Sequence, residues 1–359
     1  MNKINDTISL CEHCYRHLLA VKFEKDGQIW LSKECPVHGY SEYLVDPNAE
    51  FYLNYNYPKR DYSTYFIEAT NRCNLNCPHC YQIPDNKSKD YPIPYFTNLI
   101  NSWQDDNYVV CLAGAEPTVR NDLDLLVNEI SKSSRQIIIL TNGVKLSDFE
   151  YAEKFKDLDN LFWTIGLNHP DYQGKKVRSK QMKGIQNCID LGLKIKNISY
   201  TLEGFHQLEF CLDEIHDFYP KFCDKFRIRV GSDIGRVPNE ETIYLSQLVK
   251  ETENISRSKG WSFNTDSSLG IRAHYPVYIN DIYVKLIQWP DVRTIDMEEK
   301  QTETWAELLP DYPITPLIHQ AIIRDAVVNK GIVLQDEVPK KYTRPKKGNK
   351  KWKLAKYPG

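Results

Sequence analysis

Apolar and polar positions divide the chain into three stretches of different rhythm. From about Ser63 to Gly260, short apolar runs alternate with segments of helical length. The runs "STYFIEAT" (63–70), "YVVCLAG" (108–114), "RQIIILTNG" (135–143), "LFWTIGLN" (161–168), "LKIKNISYTL" (193–202) and "KFRIRVGS" (225–232) read as strands. Between them, "YFTNLINSWQ", "LDLLVNEISKS" and "MKGIQNCIDLG" read as helices. Apolar strands each followed by a helix predict parallel βαβ units with right-handed crossovers. Six such units fit an α/β fold of the partial (β/α)6 TIM type, with its chemistry at the strand C-termini. An open doubly wound sheet is the competing arrangement, and periodicity alone does not separate the two.

The flanks differ from this core. In "LLAVKFEKDGQIWLSKE", a Lys25-Asp26-Gly27 turn separates two strand-like runs and predicts a hairpin. Beyond Trp261, "HYPVYINDIYVKLIQWPD" predicts a tyrosine-rich hairpin around Tyr275, Tyr278, Tyr283 and Trp289 that closes the open side of the barrel. "PLIHQAIIRDAVVNKG" predicts a helix opened by Pro316 and closed by Gly331. The expected organisation is a metal module at 1–60, the barrel at 61–260, and a C-terminal α+β extension at 261–359 ending in a basic tail. That tail, "KYTRPKKGNKKWKLAKYPG", reads as a solvated end or as an arm for an anionic substrate or RNA.

Composition changes the picture in one respect. With 359 residues, 41% hydrophobic and 26% charged, and a formal charge of −2, the chain has no global preference for nucleic acid or membrane. "MNKINDTISLCEHC" lacks a secretion signal, no apolar run is long enough to span a membrane, and a cytoplasmic location is expected. Thiols there stay reduced, so clustered cysteines point to metal or catalysis. Six of the ten cysteines fall in two groups before residue 81.

The first group is Cys11-x-x-Cys14 with Cys35-x-x-His38, either side of the predicted hairpin. Paired knuckles joined by a hairpin form a zinc-ribbon pattern, and three thiolates with one imidazole suit one Zn²⁺ (or iron) in a closed tetrahedron. Four unmetallated core residues are the alternative. The second group, Cys73-x3-Cys77-x2-Cys80 in "CNLNCPHCY", directly follows the first barrel strand. Three thiolates in one short loop can hold three irons of a [4Fe–4S] cubane and leave the fourth iron open. A structural zinc whose fourth ligand lies elsewhere is the other reading.

"CNLNCPHCY" resembles the signature of the radical S-adenosylmethionine (SAM) superfamily, with His79 ahead of the third cysteine. The likeness extends to "AGAEPT" after the second strand, including Gly114, Glu116, Pro117 and Ala115, where a second glycine is usual. It extends further to Thr141 and Asn142 after the third strand, Asn168 after the fourth and Arg229 on the sixth. It implies that these residues with His79 bind SAM, with Glu116 as an acceptor for its ammonium, and that Cys73, Cys77 and Cys80 hold a [4Fe–4S] cluster. Arg229 and Arg236 have an acidic substrate group as an alternative partner. A flavodoxin- or ferredoxin-type donor would then deliver the electron that cleaves SAM to a 5′-deoxyadenosyl radical, which abstracts a substrate hydrogen atom.

The module order is similar to that of pterin methyltransferase and tetraether lipid synthase relatives. The expected substrate is a small or medium-sized metabolite, with rearrangement, C–C bond formation or methylation as the outcome. The absence of cysteine after Cys223 argues against auxiliary clusters, and the short leader against a cobalamin domain. A radical SAM tRNA-modifying enzyme and a non-enzymatic zinc-binding adaptor are the alternatives. Cys111, His169 and Tyr172 are the candidate catalytic side chains: a thiol hydrogen donor, and a lid or acid–base pair in "NHPDYQG". Cys188, Cys211 and Cys223 lack ligand spacing and read as structural.

Overall fold

The computed structural model describes residues 1–14, 17–54, 63–77, 80, 84–101, 108–132, 136–230, 242–265, 274–288 and 293–294. The Pro316–Gly331 helix, the basic tail, Trp289, Arg236 and His79 lie outside them.

The first strands form a four-stranded antiparallel sheet of β1 (Asn2–Leu10), β2 (His17–Lys25), β3 (Gln28–Cys35) and β4 (Gly39–Asp46), in that order. Asp26 and Gly27 both take positive φ, 54° and 74°, as the tight β2–β3 hairpin requires. Strands β1 and β4 were not legible in the sequence, since β4 is half-exposed along most of its length. A short helix, α1 (Ala49–Asn54), follows.

The central sheet contains β5 (Ser63–Thr70), β6 (Tyr108–Gly114), β7 (Gln136–Thr141), β8 (Leu161–Gly166), β9 (Lys194–Leu202) and β10 (Lys225–Val230). These six lie side by side in chain order, each parallel to the next. A doubly wound sheet would reverse direction at its middle, and this one never does, so the progression is that of a barrel wall. Helices α2 (Ile93–Asn101), α3 (Leu123–Ser131), α4 (Phe149–Glu153), α5 (Pro170–Gln173), α6 (Lys175–Asp190) and α7 (Leu208–Phe218) fill the crossovers. None of the described helices is long and apolar enough to cross a membrane.

Past β10, α8 (Leu245–Ser258) and β11 (Phe263–Thr265) lead to β12 (His274–Ile279) and β13 (Ile282–Ile287). The tyrosine-rich hairpin is present, with Asn280 and Asp281 at φ 47° and 64°. It does not simply lie across an opening. Strand β13 pairs in parallel with β10, so the hairpin and β11 extend the wall to nine strands.

Alternation gives the wall two faces. Val110 and Leu112 of β6, Trp163 and Ile165 of β8, and Phe226 and Ile228 of β10 join the helices in one core. Cys111, Thr164 and Arg227, between them in sequence, therefore face the other side. The Arg227 guanidinium acts electrostatically on the Cys111 thiol although β7, β8 and β9 stand between their strands. In a flat sheet, four spacings of about 4.8 Å would hold them about 19 Å apart. A wall curled as in barrels brings that face together, with those three residues on its concave side. Cys188 and Cys211 sit in the helix-side core and Cys223 just before β10, all buried.

The small sheet is fastened to the barrel by one buried carboxylate. Asp46, the last residue of β4, accepts from the backbone N–H of Ser246 (3.3 Å) and from its hydroxyl (2.6 Å), capping the first turn of α8 from another module. Lys33 adds a second tie, donating from Nζ to the carbonyls of Leu10 (2.5 Å) and Arg293 (2.7 Å). Asp46→Ala is expected to lower stability by about 1–2 kcal/mol, measured by denaturant unfolding, because it removes a helix cap and leaves buried donors unmatched.

Candidate active site at the strand C-termini

The ribbon's four candidate ligands converge. Cys11, Cys14, Cys35 and His38 place their ligand atoms within 4.8 Å of one another. Cys14 Sγ and Cys35 Sγ are 3.8 Å apart, and His38 Nδ1 lies 3.4 Å from Cys11 Sγ and 3.5 Å from Cys35 Sγ. A tetrahedron with Zn–S of about 2.3 Å and Zn–N of about 2.0 Å has edges of about 3.5–3.8 Å, so the donor set fits zinc in size and chemistry. Burial pushes the Cys11 thiol up to about 11. Burial also opposes ionisation of Cys35, but the N–H groups of Val37 and His38 and the His38 ring outweigh it and bring that thiol to about 6.

At the barrel mouth, Cys73, Cys77 and Cys80 follow β5 on a partly exposed loop. The loop is pinned from several sides. Cys73 N donates to Asn86 Oδ1 (2.9 Å), Asp85 N to the Asn71 carbonyl (2.9 Å), and Arg72 pairs with Asp90. Thr70 donates its hydroxyl to Asp90 (2.5 Å) and accepts from Arg72 N (3.1 Å). Burial pushes the Cys73 thiol up to about 12, and the charges of Glu116, Cys77 and Cys80 add to the shift. Three thiols that repel one another's charge on one loop suit a polynuclear iron centre, whose own positive charge stabilises the thiolates.

The stretch after β6 is tied into that loop by backbone. Ala115 N donates to the Thr70 carbonyl and Glu116 N to the Arg72 carbonyl, both at 3.0 Å. Gly114 has φ +103°, and a Cβ there would lie 2.5 Å from the Thr70 carbonyl oxygen. Gly114→Ala is therefore expected to displace the cysteine loop and lower iron retention, with a cost of about 1–3 kcal/mol in unfolding free energy. Unchanged iron content and melting temperature would contradict this.

Glu116 also braces the mouth loops from within. Its carboxylate is 1% exposed and takes four internal donors: Thr118 N (3.1 Å), Thr118 Oγ1 (2.6 Å), Thr141 Oγ1 (2.6 Å) and Asn142 N (2.6 Å). It caps the single turn begun by the buried Pro117 and binds the loop after β6 to the loop after β7. Asn142 continues the chain of contacts, donating from Nδ2 to Asn74 Oδ1 (2.8 Å) with Cys73 Sγ at 4.0 Å. Asn168 Oδ1 accepts from Thr201 N (3.1 Å), and Arg229 Nε donates to Thr201 Oγ1 (2.7 Å), so both stand at the same mouth.

His169 is the N-cap of α5: its Nδ1 accepts from Asp171 N (3.3 Å), and its ring meets Phe210 edge-on at 4.6 Å. Tyr172 lies on α5. Cys111 is buried on the concave wall, where burial pushes its thiol up to about 12 against the pull of Arg227 and Lys196.

Three supporting residues escaped the sequence reading. Gln181 is 1% exposed and donates to the carbonyls of Asn142 and Gly166, both at 2.9 Å, stapling two mouth loops together. Arg178 donates to the Asn168 carbonyl (2.8 Å) and pairs with Glu214. Arg120 donates to the carbonyls of Ala69 (2.9 Å) and Tyr91 (3.1 Å). A signal existed for Gln181: it precedes Ile185 and Cys188 at helical spacing, a polar side chain on the buried stripe of α6.

Comparison with known proteins agrees with this geometry. Residues 67–210 match the radical SAM superfamily, and residues 3–46 match the HMPTM N-terminal zinc ribbon domain. The 7,8-dihydro-6-hydroxymethylpterin dimethyltransferase of Methanocaldococcus jannaschii is 29% identical over 230 residues, covering 52% of this chain and 44% of that protein. The chain thus spans less than half the length of that relative. GTP 3′,8-cyclase of Alkaliphilus oremlandii is 29% identical over 219 residues, covering 54% of this chain and 67% of that enzyme. The Fe-coproporphyrin III synthase of Methanosarcina barkeri is 30% identical over 142 residues, covering 35% and 34%. Among solved structures, Streptococcus suis SuiB bound to S-adenosylmethionine is similar with a TM-score of 0.48 and 13% identity, over 79% of this chain and 73% of that one. The chain thus carries a radical SAM superfamily domain at 67–210, preceded by a zinc ribbon domain at 3–46.

Proposed function

We propose that Cys73, Cys77 and Cys80 hold a [4Fe–4S] cluster, that SAM lies on the mouth loops, and that the chain removes a hydrogen atom from a small or medium-sized metabolite. Bound there, cluster and SAM together supply the one-electron cleavage that yields a 5′-deoxyadenosyl radical. The residues of this chain bind and orient. An ammonium needs acceptors, and what this stretch offers the SAM ammonium is carbonyl oxygen near Gly114. Thr141, Asn142, Asn168 and Arg229 ring the remaining mouth, and the glutamate, glutamine and arginine braces keep those loops in register. The curled wall beneath shields the reacting centre from water. In the ribbon, Cys11, Cys14, Cys35 and His38 hold one Zn²⁺ with a structural task.

The observation that carries this reading is the meeting of a three-thiol loop with the braced loops after β6 and β7. The relatives' names span dimethyl transfer, cyclisation and porphyrin synthesis, and methylation or C–C bond formation fits this chain equally. The test is anaerobic reconstitution with iron and sulfide, then SAM and a strong reductant. Release of 5′-deoxyadenosine is expected. A fully loaded protein that releases none overturns the proposal.

A further inference from the structure

The concave wall carries positive charge, and no carboxylate is among the charges that act most on its central arginine. Arg227, on β10, faces the barrel interior, and its Nε is buried with no hydrogen-bond partner among the described residues. The charges that act on it most are those of Cys111, Arg229, Tyr283 and Cys223, none of them a carboxylate. Nearby on β9, Lys196 donates its Nζ to the neutral Gln136 Oε1 (2.7 Å). Burial first, then the repulsion of Arg227 and Lys225, lowers that ammonium to about 8. An arginine cannot shed its proton, so a buried, unpartnered guanidinium nitrogen is costly unless an anion meets it.

A second observation points the same way. Thr164, on the concave side of β8, is 5% exposed, and its Oγ1 also lacks a partner among the described residues. Cys111, Ala113, Thr164, Gly166 and Ser199 are the small residues on this side, set among the larger Ile138, Leu140 and Phe162.

We propose that the barrel interior receives the substrate by an anionic group, a carboxylate or a phosphate, seated on Arg227 with the Thr164 hydroxyl donating alongside. The guanidinium fork satisfies such a group with paired hydrogen bonds. Arg227 lies three residues before the end of β10, and Cys111 three before the end of β6, about 10 Å of strand below the mouth. An anion anchored at that depth directs the other end of a metabolite-sized molecule up to the mouth, where its C–H bond meets the SAM carbon. This inference deepens the proposed function and rests on it for where the reaction occurs.

The test uses the full chain with both metal sites loaded, without SAM, titrated calorimetrically with inorganic phosphate and separately with malonate in a non-coordinating buffer. Saturable one-to-one binding is expected, and the tighter probe identifies phosphate or carboxylate as the recognised group. Arg227→Gln is expected to weaken it by about tenfold to a hundredfold, the value of losing a charged hydrogen-bond donor. Arg227→Lys should keep more affinity than Arg227→Gln, and Thr164→Val should weaken binding by about threefold to tenfold. Wild-type affinity in Arg227→Gln, or no saturable binding of either anion by the wild type, overturns the proposal. Should Arg227→Gln fail to fold, Thr164→Val decides, and unchanged affinity there counts against the site. Because SAM is absent, the two readings fail separately. Anion binding through Arg227 in a protein that never makes 5′-deoxyadenosine removes the reaction and keeps the site; the converse removes only the site.

Discussion

Replacing Cys77 with alanine is expected to reduce 5′-deoxyadenosine formation to background and iron content from about four per chain to well below that. A cubane held by three thiolates has no spare protein ligand, and its unclaimed iron is the one that SAM needs. The loop around it is fixed by partners that do not involve Cys77: Cys73 N on Asn86, Arg72 on Asp90, Asn142 on Asn74. The variant should therefore keep its fold while losing its chemistry, which circular dichroism and anaerobic iron analysis check together. Cys188→Ala is the matched control. Cys188 is fully buried among the helix-side apolar residues, so its loss should cost about 1–2 kcal/mol of stability and leave iron and turnover in place. Equal loss of iron in both variants would assign the effect to misfolding.

Removing the ribbon metal has the second large effect. Cys35→Ser, or chelation of the wild type, is expected to unfold residues 1–46 and release one zinc per chain, read by metal analysis and limited proteolysis. Structural zinc contributes about 10–16 kcal/mol to comparable modules, against a net stability of about 5–15 kcal/mol for a whole domain. The small sheet has little else to hold its knuckle end: the core there is Cys11, Leu18 and Cys35, with Cys14 beside it. Loss of zinc would also release the Asp46 cap from α8 and the Lys33 tie to Arg293, so a lower barrel melting temperature should accompany it. A protease-resistant ribbon in a zinc-free protein would show that the hairpin folds on its own packing.

The wall strands were legible because each is apolar enough to be buried on a helix-covered sheet. Ser63–Thr70 and Tyr108–Gly114 coincide with β5 and β6 residue for residue. The choice between barrel and open sheet was not legible, since it depends on strand order, and order is a property of packing between units far apart in sequence. Strand β4 escaped because exposure on both sides erases alternation. At the site, cysteine spacing announced both groups of candidate metal ligands, and the loops at the mouth followed from their strand ends. The fate of the Glu116 carboxylate did not follow. An acidic side chain beside a ligand loop reads as an acceptor, yet burial makes it seek internal donors, and Thr118, Thr141 and Asn142 lie closest. Gln181 and Arg227 carry the opposite lesson. Each is a polar residue at a position whose neighbours are buried, visible in the pattern as an irregularity whose meaning depends on the facing loops and strands.

The most direct test is electron paramagnetic resonance of the anaerobically reduced, reconstituted protein before and after addition of SAM. A reduced [4Fe–4S] signal that changes shape when SAM is added is the expected result, because SAM would occupy the one iron that the chain leaves unligated. A signal indifferent to SAM, or no iron–sulfur signal from a protein with intact Cys73, Cys77 and Cys80, would contradict it.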